Sequence, residues 1–294
     1  MSNIKEYFSN NFIIHNNNVF VITKDDSFVS NFGKQWRDYR DVQIDSKNDF
    51  NVSKNFLNEL LFNNIDYIKN KTVLEIGCGA GRFTEHIVKH AKECISVDLS
   101  SAVYHNVSIG NEKLKLVKAN FLDLNCTKKF DVVICRGVLQ HTEDPIKSIL
   151  KLHKFINNSG YVFFDIYAMP KIGYLHPKYF FWRPLIKKFI KYENLEFFLK
   201  KNIKKLLSIK RFIKKIFFNS NFISDSIIPI WDYKDQINLN KNQLEMWSIL
   251  DTLDGIYAKY DKPISNKNII KILKKNKISL VKNNVKKNFF MSKI

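Results

Sequence analysis

The sequence predicts an α/β fold in which a mostly parallel sheet is covered by helices on both faces. Two observations indicate this fold. Short apolar runs alternate with amphipathic stretches of about ten residues, and the first strong apolar run ends in a glycine-rich turn. We therefore expect a doubly wound sheet of seven strands. The chain has 294 residues, of which 45% are hydrophobic, so it can bury a sizeable core.

The glycine-rich turn lies in the stretch VLEIGCGAGRF, at residues 73–83. An apolar strand opens the stretch, and Gly77, Gly79 and Gly81 follow at alternate positions. A tight turn favours residues without a Cβ, because the backbone can then take positive φ and a ligand can approach the main chain. From Arg82 onward, apolar residues at helical spacing predict a helix. Glycines also form ordinary loops, so the turn alone assigns no function.

A second apolar strand, at residues 94–99, carries the acidic residue Asp98 near its end. Asp98 follows the glycines by roughly 20 residues, the spacing at which a carboxylate can bind the hydroxyls of a nucleoside ribose. Together the two features resemble the class I S-adenosylmethionine-dependent methyltransferase family, whose E-x-G-x-G-x-G pattern matches residues 75–81. The resemblance implies S-adenosylmethionine as cofactor, with its ribose on Asp98 and its methionine part against Gly77 and Gly79.

The resemblance also implies further cofactor contacts at the carboxyl ends of the strands, where ligands of open α/β sheets bind. Asn120 follows the third strand (114–117), where the family usually has an Asp that takes the adenine amino group. The side-chain carbonyl of Asn120 can accept the same hydrogen bond. Arg136 follows the fourth strand, at residues 130–135. Besides Asp98, Gly77 and Gly79, the residues assigned to the cofactor site are Trp36, Arg40, Glu75, Leu99, Asn120, Phe121 and Arg136.

The chemistry of methyl transfer indicates which catalytic groups to look for. The methyl group of the cofactor is activated by its sulfonium, and holding acceptor and methyl in line contributes up to ~7–11 kcal/mol. An alcohol acceptor must also lose its proton as it attacks. His141 is the first candidate base, because it follows the fourth strand and a neutral imidazole can accept a proton. Asp254 is the second candidate, with Asp251 beside it, and His141 could instead be a structural loop residue.

Residues 1–52 precede the core and are called the N-terminal arm. Apolar runs at 12–14 and 19–22 flank three asparagines and predict a β-hairpin. The stretch F-G-K-Q-W at 32–36, followed by I-D-S at 44–46, resembles a subgroup of these methyltransferases associated with bacterial surface-glycan biosynthesis. Trp36 and Arg40 then either fold over the cofactor or only fix the arm to the core. Some relatives carry a zinc ribbon, but this chain has no cysteine before Cys78, so we expect no metal.

The remaining predicted elements form a core that is made of two stretches of the chain, with an insertion between them. Residues 53–169 are the predicted cofactor-binding core, with a helix over 49–69 at its start and a helix that begins at Pro145 with Asp144 as its cap. A fifth strand is predicted at 161–167. Residues 263–294 supply a helix at 266–276 and two final strands, the last of them antiparallel.

Between these parts lies a basic insertion at residues 170–262. Residues 171–215 contain fourteen Lys or Arg but only two Glu, and their apolar residues recur at helical spacing. Such helices lie on membrane surfaces or cover an active site as a lid. Contact with RNA is a further alternative. The stretch L-D-T-L-D at 250–254 resembles the same glycan-linked subgroup.

The charge balance and cysteine content limit the partners and the compartment. A net charge of +20 suggests nucleic acid, an anionic membrane or a phosphorylated substrate, although an AT-rich genome would also enrich lysine. The four cysteines form no C-x-x-C pair, and there is no secretory signal and no apolar run of ~18 residues. We expect a cytoplasmic protein, with peripheral contact between the basic insertion and the inner face of the membrane as one of the alternatives.

The leading functional hypothesis is methylation of a hydroxyl on a sugar or glycan precursor. One alternative is methylation of tRNA or of another small molecule, such as a quinone or lipid. The lack of common RNA-binding motifs weakens the tRNA alternative. Another is a catalytically inactive basic binding protein, against which the intact glycine turn and Asp98 argue.

Overall fold

The structure is a computed structural model that describes residues 4–14, 19–23, 39–170 and 172–294. The chain divides into two compact units. The first unit comprises Met1–Arg40, Ile44–Ala168 and Lys259–Ile294. The second unit comprises Asp41–Gln43 and Met169–Ala258.

The first unit is built on one sheet, in which the described residues form nine strands. The strands are β1 Ile13–Ile14, β2 Val19–Val21, β3 Thr72–Ile76, β4 Glu93–Asp98, β5 Leu114–Lys118, β6 Phe130–Cys135, β7 Ile156–Asp165, β8 Ser279–Asn284 and β9 Phe289–Lys293. Their order across the sheet is β1-β2-β5-β4-β3-β6-β7-β9-β8. The strands from β2 to β7 pair in parallel, and β1 and β9 run antiparallel to their neighbours. The predicted α/β fold with a mostly parallel sheet is therefore confirmed.

The prediction of seven strands is wrong because the N-terminal arm adds two strands to the sheet. β2 pairs in parallel with β5, with Val19 opposite Leu116, and β1 pairs with the outer side of β2. An edge strand presents unpaired N–H and C=O groups that another strand can bind. Val19 is fully buried by this pairing, so the arm becomes part of the sheet.

The described helices are α1 Asp45–Asn48, α2 Val52–Leu60, α3 Thr84–His90, α4 Pro145–His153, α5 Arg183–Phe189, α6 Tyr192–Ile216, α7 Asn221–Ile227, α8 Lys241–Tyr257 and α9 Asn266–Lys275. The predicted single helix over 49–69 is wrong. Phe62 and Asn63 adopt positive φ of 53° and 59°, a left-handed conformation that ends a helix. The predicted start of α4 is confirmed, because the Asp144 side chain accepts hydrogen bonds from the N–H groups of the first turn.

The sheet of the first unit separates two apolar cores. Leu74 and Ile76 of β3 pack into one core together with buried residues of α4 and α9. Val73 of the same strand packs into the other core with buried residues of α2 and α3. Since successive side chains of a strand point to opposite faces, this alternation produces a doubly covered sheet.

The second unit is helical and contains α5 to α8. Its longest helix, α6, has 25 residues and buries one apolar stripe: Leu195, Leu199, Ile203 and Leu207. Arg211 of α6 makes two hydrogen bonds of 2.8 Å to the Asp232 carboxylate, which tie α6 to the segment between α7 and α8. None of the described helices is both long enough and apolar enough to cross a bilayer.

Candidate functional site

The glycine-rich turn joins β3 to α3 and uses left-handed backbone at three positions. Gly77, Gly79 and Gly81 have φ of 79°, 50° and 97°. A Cβ on Gly77 would lie 2.0 Å from Cγ2 of Val138, and a Cβ on Gly81 would lie 2.5 Å from Oδ1 of Asn106. Both the backbone and the neighbouring loops therefore require glycine here. Val138, which belongs to the loop after β6, could not be identified from the sequence.

Asp98 ends β4 beside this turn, and the protein holds both of its carboxylate oxygens. The N–H of Gly79 donates to Oδ2 at 2.7 Å, and the N–H and hydroxyl of Ser100 donate to Oδ1 at 2.8 and 2.7 Å. Burial raises the pKa of Asp98 despite these donors. A carboxylate has about four lone-pair sites, of which these donors occupy three, so Oδ2 can still accept a hydrogen bond from a ribose hydroxyl. The turn and the carboxylate thus form one preorganised unit.

Glu75 lies beneath the turn and is only 2% exposed. Its Oε2 accepts hydrogen bonds from Thr84 at 2.7 Å and from Ser96 at 2.6 Å, so it ties β3 to α3 and β4. Its Oε1 is buried without a hydrogen bond to the described residues. Burial raises the pKa of Glu75 to about 7. These contacts support the turn from below, and a direct contact of Glu75 with the cofactor stays a prediction.

Leu99, Asn120 and Phe121 follow the ends of β4 and β5. The backbone N–H of Ala119 donates to the carbonyl of Asp98 at 2.9 Å, which holds the two strand ends together. Oδ1 of Asn120 accepts the N–H of Leu122 at 3.1 Å. A carbonyl oxygen has a second lone pair, so the adenine contact of Asn120 remains chemically feasible and untested. Phe121 is buried and Leu99 is half-buried.

Arg136 follows β6 and stacks on an aromatic floor. Its guanidinium carbon lies 4.7 Å from the ring centre of Phe56, 5.2 Å from that of Phe83 and 5.3 Å from that of Phe289. Its Nε is 3.9 Å from Oδ2 of Asp165. Cation–π contacts with partly desolvated rings stabilise such a charge. The sequence indicated Arg136 by its position but gave no signal for the three phenylalanines, which come from distant elements.

His141 is fixed by a contact across the chain. Its Nδ1 lies 2.9 Å from the backbone carbonyl oxygen of Tyr260, and its ring meets Tyr167 edge to face at 5.5 Å. A carbonyl oxygen can only accept, so Nδ1 must carry the proton and the neutral ring keeps its lone pair on Nε2. This is the tautomer that a proton acceptor at Nε2 requires.

The other predicted site residues are placed elsewhere or are not described. Asp251 and Asp254 lie on α8 in the second unit, where the hydroxyl of Tyr233 and the side chain of Gln43 bind Asp251. Asp254 is half-buried. Trp36 lies outside the described residues, as does the side chain of Arg40. The roles of all these residues stay predictions.

A buried cluster near α3 combines two carboxylates with a histidine. Nε2 of His86 lies 3.0 Å from Oδ2 of Asp45 and 3.4 Å from Oε1 of Glu85. Burial opposes charge on His86, but the two carboxylates outweigh it and raise its pKa. Their donor atoms lie within 4.8 Å of one another, close enough to ligate a cation. The same geometry is explained without a metal by a protonated His86, whose ion pairs with the two carboxylates link α1 to α3 as a latch. The expectation of no metal stays a prediction.

Sequence comparisons identify known proteins that this chain resembles. Residues 50–206, more than half of the chain, match a family described as "Methyltransferase domain". The ubiquinone biosynthesis O-methyltransferase of Nitrosomonas europaea is 28% identical over 130 residues, which are 41% of this chain and 55% of that protein. The tRNA U34 carboxymethyltransferase of Campylobacter fetus subsp. fetus is 32% identical over 122 residues, 40% of this chain and 40% of that protein. The chain thus spans about half the length, or less, of these curated relatives.

Among solved structures, PKMT2 from Rickettsia typhi is similar with a TM-score of 0.47 and 19% identity. The similarity covers 73% of this chain and 39% of that chain.

Proposed function

We propose that this chain, which belongs to the family of class I S-adenosylmethionine-dependent methyltransferases, methylates a hydroxyl group of a sugar or glycan precursor. The family membership confirms the predicted cofactor, S-adenosylmethionine. When bound, the cofactor supplies a methyl group activated by its sulfonium. The chain's own task is to hold the cofactor and to position and deprotonate the acceptor.

Cofactor binding is assigned to the carboxyl ends of β3, β4 and β5. Asp98 is partly buried and is oriented by Gly79 and Ser100, with Oδ2 able to accept a further hydrogen bond from a ribose hydroxyl. The left-handed glycine turn lets the methionine part approach the backbone. Asn120 supplies a carbonyl for the adenine amino group.

The tautomer of His141 is the observation that carries the choice of a hydroxyl acceptor. Its Nδ1 donates to the carbonyl of Tyr260, so Nε2 is the nitrogen of the neutral ring that can take the proton of an attacking alcohol. An acceptor that is already nucleophilic would not need such a group. The L-D-T-L-D stretch at 250–254 supports a glycan acceptor by its resemblance to the glycan-linked subgroup.

Two other acceptors follow from the names of relatives. The Nitrosomonas relative is an O-methyltransferase of ubiquinone biosynthesis, which favours a hydroxyl on a quinone precursor and the same use of His141. The Campylobacter relative acts on tRNA, and the net charge of +20 would suit phosphate contacts. A glycan precursor and a quinone precursor would both be methylated on a hydroxyl, so the test below separates these two acceptors by the product formed.

The test is methyl transfer from labelled S-adenosylmethionine into fractionated cell extract. We expect label in the glycan or lipid-linked sugar fraction. Label confined to quinones or to tRNA would overturn the glycan acceptor. His141→Gln keeps polarity without a usable base and should lower turnover by ~10²–10⁴-fold while cofactor affinity stays unchanged.

A matched control is His90→Gln, at the end of α3, which should keep full turnover. If His141→Gln retained normal turnover, general-base catalysis by His141 would be excluded.

A further inference from the structure

Helix α6 carries a second apolar stripe besides the one it buries. Phe198, Ile209, Phe212 and Ile216 are exposed by 49, 49, 65 and 53%. These four residues are called the exposed stripe. With 3.6 residues per turn, the intervals of 11, 3 and 4 residues place them on one side of the helix. They therefore share one side of the helix, with Phe198 in its first half and the other three near its end.

Lysines fill the gaps in the exposed stripe and border it. Lys201 and Lys205 follow Phe198 by three and seven residues, so they lie on the same side of α6, and both are exposed. Between Tyr192 and Ile216 the helix contains eight basic residues and only two acidic ones, Glu193 and Glu196. The surface thus combines exposed apolar side chains with a strong positive charge.

The apolar surface continues past the end of α6. Phe217 is 42% exposed and Phe218 is 98% exposed, with a left-handed φ of 51° at Phe218. This conformation ends α6, where the N–H of Asn219 donates to the carbonyl of Lys214 at 2.8 Å. The exposed rings of Phe217 and Phe218 extend the apolar surface of the helix, and large exposed apolar surfaces mark sites of interaction.

We infer that the exposed stripe, Lys201 and Lys205 dock the protein on an anionic phospholipid bilayer. The helix lies along the membrane, its apolar side chains enter the headgroup region and its lysines contact anionic headgroups. The apolar residues explain why a bilayer fits better than RNA. Bases stack on aromatic rings but give no reason for exposed Ile209 and Ile216. The inference goes beyond the proposed methyl transfer and does not depend on it.

The experiment is sedimentation of the full chain with vesicles of phosphatidylcholine alone or mixed with phosphatidylglycerol. We expect binding to the anionic vesicles, weakening as salt rises, and little binding to the neutral ones. Phe198→Ser combined with Phe212→Ser should weaken binding by ~10-fold or more. The matched control is Phe197→Ser, whose 70% exposed ring points about 100° away around the helix.

A second pair of variants tests the charge. Lys201→Glu with Lys205→Glu should weaken binding to anionic vesicles, whereas Lys234→Glu with Lys241→Glu, the same charge change in the same unit, should have a smaller effect. Circular dichroism checks that each variant is folded. Three outcomes would overturn the inference. The first is vesicle binding that is unchanged in both the Phe198→Ser, Phe212→Ser variant and the Lys201→Glu, Lys205→Glu variant. The others are retention of tRNA without vesicle binding, and a dimer in sedimentation velocity that depends on the exposed stripe and forms without vesicle binding.

Discussion

The two units differ in which side chains they place in an environment that costs free energy. The first unit buries titratable groups and gives them partners within the protein: hydroxyl groups for Glu75 and the Asp45 carboxylate for His86. The second unit leaves apolar side chains at its surface, as it does for Phe198 and Phe212. Both arrangements cost free energy unless something compensates.

The difference indicates where each unit finds its compensation. In the first unit, hydrogen bonds and ion pairs within the protein hold Asp98 and the glycine turn in place before any ligand arrives. In the second unit, the exposed stripe is compensated only by a partner. We therefore expect changes in the first unit to alter stability and cofactor affinity, and changes to the exposed stripe to alter membrane binding alone.

The largest effect on stability is expected where the first unit buries its ion pair. His86→Gln leaves Asp45 and Glu85 without their buried cation, which should lower the free energy of unfolding by ~3–5 kcal/mol. Denaturant unfolding measures the change. His90→Gln, on the same helix but half-exposed, is the control and should change stability by less than ~0.5 kcal/mol. Equal effects of the two variants would show that the cluster is not a latch.

The ion pairs of His86 with Asp45 and Glu85 also predict that the stability of the protein depends on pH. The pKa of His86 is raised, so its contribution is complete below the ordinary histidine pKa of ~6.5 and is lost as pH rises through the raised value. Burial opposes ionisation of Glu85, but His86 outweighs it and lowers its pKa, so that contribution is lost as pH falls through the lowered value. The stability difference between the unaltered protein and His86→Gln should peak between ~5 and 6.5 and shrink on either side. A pH-independent difference would contradict this account.

A somewhat smaller effect is expected at the glycine turn. Gly77→Ala places a Cβ 2.0 Å from Val138 at a φ of 79°, so it should cost roughly 2–5 kcal/mol of stability. Gly110→Ala is the control, because its φ is 89° but nothing lies within 4 Å, leaving only the backbone strain of ~1–2 kcal/mol. Val138→Ala should rescue part of the Gly77→Ala loss in a double-mutant cycle. If Val138→Ala restores no stability to the Gly77→Ala variant, the contact with Val138 is not the cause of the loss.

Features that depend on neighbouring residues could be predicted from the sequence. The glycine turn, Asp98 and the cap of α4 at Asp144 each follow from a few adjacent residues. The contact between His141 and Tyr260 could not be predicted, because 119 residues separate them. The pairing of Val19 with Leu116, which changes the strand count, was missed for the same reason. Local patterns specify elements, whereas pairing between distant segments depends on the whole fold.

Helix α6 illustrates a second limit. Its apolar residues recur at helical spacing, so a helix could be predicted from them. Spacing alone does not tell the buried stripe with Leu199 from the exposed stripe with Phe198, because both have the same period. Only the packing of the second unit distinguishes them.

We propose that the first unit binds S-adenosylmethionine through Asp98 and that the exposed stripe of the second unit takes no part in this binding. Titration calorimetry of the cofactor with the full chain tests it most directly. We predict that Asp98→Ala weakens affinity by ~10–100-fold, because about 1–3 kcal/mol of hydrogen bonding to ribose is lost. Asp66→Ala, an exposed acid of the same unit, and Phe198→Ser with Phe212→Ser should both bind like the unaltered protein. Unchanged affinity in Asp98→Ala would contradict the claim.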